Sequence, residues 1–218
     1  MATTLAKGLM GLGGLSVAGG GGLLAANQGL FSSKEESIQD RMKKDGYKAL
    51  DSGSADWGKI FDSYKDAKNT KKFQDDGITS NSTTTDHPKL KEQCSKALKL
   101  KASEEETYKK VIKWCVVPRK VEDVLAGITL LGVEETNTGD ANDWKPILTK
   151  YTDTKKGDTQ KEYAMKDVVL KDTASGTTNQ EAENIKELKK GCKSRRAKMT
   201  YELEFEQSIE EVKTWCSK

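Results

Sequence analysis

The sequence predicts a mainly α-helical protein: an N-terminal transmembrane helix followed by a duplicated helical-bundle ectodomain closed by two disulfides. Three observations carry this prediction. An uncharged run fills the N-terminus, apolar residues beyond it recur at helical spacing, and tryptophan and cysteine landmarks occur twice in the same order. The organisation that follows is an anchor over residues 1–33, a first helical repeat over 34–116 and a second over 117–218.

Between Lys7 and Lys34 no charged residue occurs, so Gly8 to Ser33 forms a 26-residue uncharged run. About 20 helical residues span a hydrocarbon core, so length permits a crossing. Nine of the 26 are glycine, including Gly19 to Gly22, and each costs a helix in water roughly 1 kcal/mol relative to alanine. Membrane helices tolerate more glycine, because lipid offers the backbone no other partner. Gly14, Ala18, Gly22 and Ala26 fall at four-residue spacing, a ridge of small residues through which two such helices could pair as a homodimer. An uncleaved signal anchor is the favoured reading. A cleaved signal peptide, with Ser16-Val17-Ala18 as its cleavage signature, and a flexible glycine-rich leader are the alternatives. The positive flank at Lys7 and the net negative Lys34-Glu35-Glu36 place the N-terminus in the cytoplasm and the bulk outside. Cleavage would make the protein secreted.

Beyond residue 34, Trp57, Ile60, Phe61 and Tyr64 match Trp144, Ile147, Leu148 and Tyr151, each set preceded by an aspartate, Asp56 or Asp143. The spacing i, i+3, i+4, i+7 puts these residues on one helix face. The aspartates stand where N-caps belong, and Pro146 is expected in the first turn. A second helix in each copy carries the first cysteine. Asp86 is its expected cap ahead of Leu90, Cys94, Ala97 and Leu98, and Asn179 ahead of Ile185, Leu188 and Cys192. A third helix ends each copy on Trp-Cys, at Trp114-Cys115 and Trp215-Cys216, approached through Tyr108, Val111 and Ile112 or Ile209 and Val212. Ser103 with Glu106, and Ser208 with Glu211, have capping-box spacing. The polar stretches Gly77 to Asp86 and Thr152 to Thr178 read as loops. Met199 to Glu206 alternates apolar and polar residues, so a short strand near 199–205 stands as an alternative to helix.

Four cysteines allow three pairings, and the repeat favours Cys94 with Cys115 and Cys192 with Cys216, stapling the last two helices of each copy. An even cysteine count after an export segment favours disulfides over free thiols. Apolar residues are 34% of the chain and charged residues 33%. Since the N-terminus holds many of the apolar ones, a thin core remains, the circumstance in which disulfides matter most. Trp57, Tyr64, Trp114, Trp144, Tyr151 and Trp215 are the expected repeat core, with Trp114 and Trp215 near the disulfides.

The chemistry-bearing patterns are sparse. The one histidine, His87, lacks a nearby cysteine and leaves little room for zinc or for histidine-based catalysis. No phosphate loop or dinucleotide motif occurs, and Asp140 to Asp143 lacks the order of a calcium loop. Glu104 to Glu106 read as helix-start acids. The 37 basic and 34 acidic residues are finely interleaved, unlike the segregated basic face of a nucleic-acid binder. The basic cluster from Lys189 to Arg196 reads as the solvated C-terminal end of a helix. Asn81-Ser82-Thr83 matches a glycosylation sequon, relevant only in a eukaryotic secretory host. No catalytic, cofactor or metal residues are assigned.

The N-terminal Met1 to Lys7 with its glycine- and alanine-rich continuation, Ser37 to Arg41, the Asp-Trp pair and the Cys and Trp-Cys landmarks together resemble paralogous families of short membrane-anchored proteins in hemotropic mycoplasmas. The resemblance spans nearly the whole chain. It implies surface display, with antigenic variation or contact with a host surface protein on the erythrocyte. No cysteine precedes Cys94, so the chain departs from an ordinary bacterial lipoprotein. The expected function is a non-enzymatic, surface-exposed interaction or antigen module in the cell membrane. An exported carboxylate-dependent hydrolase and a cytosolic helical scaffold are the alternatives.

Overall fold

The computed structural model describes residues 35–156, 162–171 and 180–218, and it is mainly helical. The expected anchor of residues 1–33 and the expected cap Asn179 lie outside the described residues. Among those described, no helix is long and apolar enough to cross a membrane.

The first half holds helices α1 (Ile38–Lys44), α2 (Asp56–Lys65), α3 (His87–Ala97) and α4 (Glu105–Trp114). The second holds α5 (Val121–Val124), α6 (Ala141–Thr152), α7 (Gln180–Arg196) and α8 (Phe205–Trp215). Their contacts recur in parallel. The Ile38 amide donates to Leu100 O and the Val121 amide to Lys198 O. The Leu50 and Leu131 amides donate to Cys115 O and Cys216 O, both at 2.9 Å. Isolated antiparallel bridges Ala49–Val116 and Leu130–Ser217 seal the same corner of each half.

Each half has its own hydrophobic core. Ile38, Met42, Trp57, Ile60, Phe61, Tyr64, Leu90, Val111 and Trp114 fill the first. Leu125, Leu131, Trp144, Tyr151, Met165, Leu188, Val212 and Trp215 contribute to the second. Local capping serves these helices differently from the sequence expectation. Ser37 caps α1, in a reciprocal box with Asp40. Gly46 follows that helix at φ +77°, a left-handed turn that glycine adopts without steric cost. Asp56 is the first residue of α2 rather than its cap, and its amide is held by Ser54 Oγ at 3.2 Å. Asp143 lies in the first turn of α6, which begins two residues earlier, and it pairs with Lys218 at 2.9 Å. That early start places Pro146 inside the helix, beyond its first turn. Pro146 and Asn142 are exposed, so water can satisfy the carbonyl left without a donor. Asp86 makes no side-chain cap on α3; its carboxylate accepts from the Thr83 amide and pairs with Lys89. The two serine boxes are absent as well. Helix α4 begins after Glu104, and Ser208 is buried inside α8 because that helix starts at Phe205.

Two further expectations are corrected. Residues 200–204 form turns rather than a strand, and Met199 makes only an isolated bridge with Lys120. The alternation there arises because Tyr201 and Leu203 pack on the first core, whereas Phe205 enters the second. Nor is 152–178 all polar loop: Tyr163, Met165, Val168 and Leu170 are buried. The Tyr151 hydroxyl accepts the Met165 amide at 3.2 Å and lies 2.9 Å from Val168 O. Gly191, within α7, is required here. A Cβ on it would stand 2.3 Å from Val168 Cγ2.

The halves meet at a polar seam within the unit Glu35–Lys218. Lys113 of α4 is buried, with Nζ 2.8 Å from Glu202 O and 3.1 Å from a Glu206 carboxylate oxygen. Lys71 reaches Glu206 at 2.8 Å. Burial pushes the Lys113 amine below its usual value against the pull of Glu206. Burial raises the Glu206 carboxyl, but the hydrogen bond from Lys71 and the Lys113 charge outweigh it and hold it below the usual carboxylate range.

Gly191→Ala should therefore destabilise the protein by about 1–3 kcal/mol through overpacking, despite alanine's better helix propensity. Urea unfolding of this variant and of Gly191→Ala with Val168→Ala, which frees space, checks the cause: the second change should recover part of the loss. Acid should loosen the seam. Because the folded Glu206 carboxyl binds its proton less readily than the unfolded one, its contribution is complete above the unfolded value near about 4.3 and fades as pH falls through the folded value. Glu206→Gln should flatten that part of the stability–pH curve, measured by thermal unfolding.

Candidate functional site

Both disulfides form within a copy. Cys94 and Cys115 have Cα atoms 5.4 Å apart and join α3 to the end of α4; Cys192 and Cys216 are 5.7 Å apart and join α7 to the end of α8. All four cysteines are buried. Beside each staple a tryptophan meets a tyrosine of the first Trp helix edge-on. The Tyr64–Trp114 centroids are 5.1 Å apart at 81°, and those of Tyr151–Trp215 are 5.2 Å apart at 86°. Trp57 and Trp144 are buried too, donating their indole N–H to Asp51 O at 2.8 Å and Gly132 O at 3.1 Å. Trp114 donates to Lys71 O at 2.8 Å. The Trp57, Trp114 and Trp144 indoles are enclosed and hydrogen-bonded within their cores. Of their helical neighbours, Ile147 and Leu148 are only partly buried.

The basic cluster at the end of α7 is not uniformly solvated. Lys189 is 1% exposed and Arg195 7%. Lys189 Nζ donates to Glu134 O at 3.2 Å, Asn137 O at 2.6 Å and Asp140 Oδ1 at 2.6 Å. Arg195 is gripped by Asp167 and Glu211. The spacing Ile185, Leu188, Lys189, Cys192, Arg195 already places both bases on the apolar face, the signal that a reading of the cluster by charge alone overlooks. Lys113 carried no such signal, since what buries it comes from the other copy.

A shallow depression of about 290 Å³ opens beside Arg195, walled by Lys166, Asp167, Lys198, Glu204 and Glu211 among others. Its acids are tied to bases. The Arg195 guanidinium, bonding Asp167, holds that carboxyl below the usual range, the opposite of the raised value a general acid needs. Among the described residues no group of three or more His, Cys, Asp or Glu could hold a metal ion. His87 instead lies edge-on to Phe61, with centroids 4.5 Å apart. Asn81 is exposed on the loop before α3.

With this geometry in view, no protein-family model, curated protein or solved structure matches the chain.

Lys189→Met should cost about 3–5 kcal/mol, because it strands the Asp140 carboxylate and the two carbonyls. Adding Asp140→Leu should restore part of that stability. Denaturant midpoints of the single and double variants give the comparison, and additive losses would contradict the pairing.

Proposed function

We propose that this protein is an exported, membrane-anchored, non-enzymatic interaction module, held by the N-terminal uncharged segment and displaying the duplicated helical unit outside the cell. The observation that carries the reading is the pair of buried disulfides, one per copy. Disulfides of this kind form and persist where the environment is oxidising, whereas the cytosol keeps thiols reduced. Each should contribute about 3–4 kcal/mol by restricting the unfolded chain, a large share for a polar protein with two small cores.

The charge pattern supports a binding role over a catalytic one. Lysines and acids pair across the surface, as in Lys96–Glu92 and Lys109–Glu106, and the acids of the Arg195 depression are neutralised by their neighbours. The resemblance to anchored surface families of hemotropic mycoplasmas points the same way, toward a host surface protein as partner. The small-residue ridge of the leader offers a route to a homodimer.

Protease shaving of intact cells tests the orientation: the region after residue 34 should be cut without lysis. Survival on intact cells with cleavage after lysis would place it inside. Thiol labelling under native, non-reducing conditions tests the staples, and four reactive thiols in protein taken directly from cells would refute them.

A further inference from the structure

The two copies differ where the loop before the Trp helix meets a lysine three positions ahead of the first cysteine. Lys91 and Lys189 are equivalent in this respect. So are the indole contacts, since Trp57 and Trp144 each bond the residue following the leucine whose amide donates to the second cysteine's carbonyl, Asp51 or Gly132. The loops themselves are unequal: six residues separate Leu50 from Trp57, and twelve separate Leu131 from Trp144.

In the second copy the extra residues fold back over the lysine. An ammonium has three N–H donors, and Glu134 O, Asn137 O and the Asp140 carboxylate supply an acceptor for each. The space left beside Lys189 is about 50 Å³. In the first copy nothing equivalent covers the site among the described residues. Lys91 Nζ has one hydrogen-bond acceptor, Ser52 O at 2.7 Å, and stands 5.6 Å from the Trp57 ring centroid. A depression of about 280 Å³ opens there, bounded by Leu50, Trp57, Leu98, Lys99 and the Cys94–Cys115 staple. Among the described residues, neither Lys91 nor Lys99 has a carboxylate partner, and Lys99 is exposed. The neighbouring acids are engaged elsewhere: Asp51 Oδ1 accepts the Gly53 amide at 2.8 Å, and Glu92 pairs with Lys96 at 2.7 Å.

We propose that the Lys91 cleft of the first copy binds an acidic, extended peptide segment, in the place where the second copy seats its own Glu134 to Asp140 loop. One carbonyl of the segment and one carboxylate would take the two free donors of Lys91, with Lys99 attracting further negative charge at the rim. Leu50 and Leu98 offer apolar contact to the intervening backbone. The second copy thus displays the chemistry of the occupant that the first copy lacks. This ligand class deepens the interaction-module reading, and rests on it only for where the ligand is met.

The test uses the full, disulfide-intact chain and a dye-labelled, end-blocked peptide copying residues 134–140, with a counterpart carrying Gln and Asn in place of Glu and Asp. Fluorescence anisotropy should show saturable binding of the acidic peptide, weakened at least about tenfold in the neutral counterpart and in Lys91→Met. Lys91→Arg should retain most of the binding, which separates loss of the charge from loss of the fold. Absence of saturation at about 1 mM peptide, equal binding of the neutral peptide, unchanged binding by Lys91→Met, or equal competition by an oligonucleotide of the same charge would each overturn the proposal. Because the assay uses purified protein, its failure leaves the shaving result untouched, and the converse also holds.

Discussion

Two small cores within one polar chain can each be held only if the helices around them are prevented from drifting apart, and in this protein the same arrangement does so twice. A tyrosine from the first Trp helix meets the edge of the tryptophan next to the second cysteine, and the disulfide fixes that tryptophan's helix to its neighbour. Edge-on aromatic contacts add about 0.5–1.5 kcal/mol beyond the area they bury. The covalent link acts on the unfolded chain instead, by removing conformations that the two helix ends could otherwise explore. The two effects stabilise the same corner through different states of the molecule.

The copies are joined by buried polar contacts as well as by Tyr201 and Leu203, which pack on the first core. Lys113 surrenders its hydration to bond carbonyls of the turn before α8 and the Glu206 carboxylate in that helix's first turn, and Arg119 O accepts the Thr200 amide at 3.0 Å. Removing one partner from such a buried cluster is costly, whereas the intact cluster adds little net stability. Its value lies in register: an ammonium with three donors accepts few alternative placements of the turn it holds.

Much of this architecture was legible in the sequence. The Trp, Tyr and Cys landmarks gave the helix faces and the cysteine pairing, because periodic apolar residues and even spacing are properties of the chain itself. Helix starts were less legible. Asp56, Asp143, Ser103 and Ser208 all have the right chemistry for caps, yet each lies one to four residues from the position that caps its helix, where packing of the whole face decides. The contacts that depend on a distant segment left no local trace. Val168 over Gly191, the Asp140 loop over Lys189 and the turn at Thr200 over Lys113 all bury residues that would be unremarkable in isolation.

The indole bonds of Trp57 and Trp144 carry one more consequence. The same anchor point serves a loop of six residues and one of twelve, and doubling a flexible loop raises its closure cost by only about 0.6 kcal/mol. The framework therefore separates what must stay constant from what can change: length and composition ahead of each Trp helix can drift while the core beneath keeps its geometry. A lineage under pressure to alter its outer face could do so there repeatedly, and fold the same way each time.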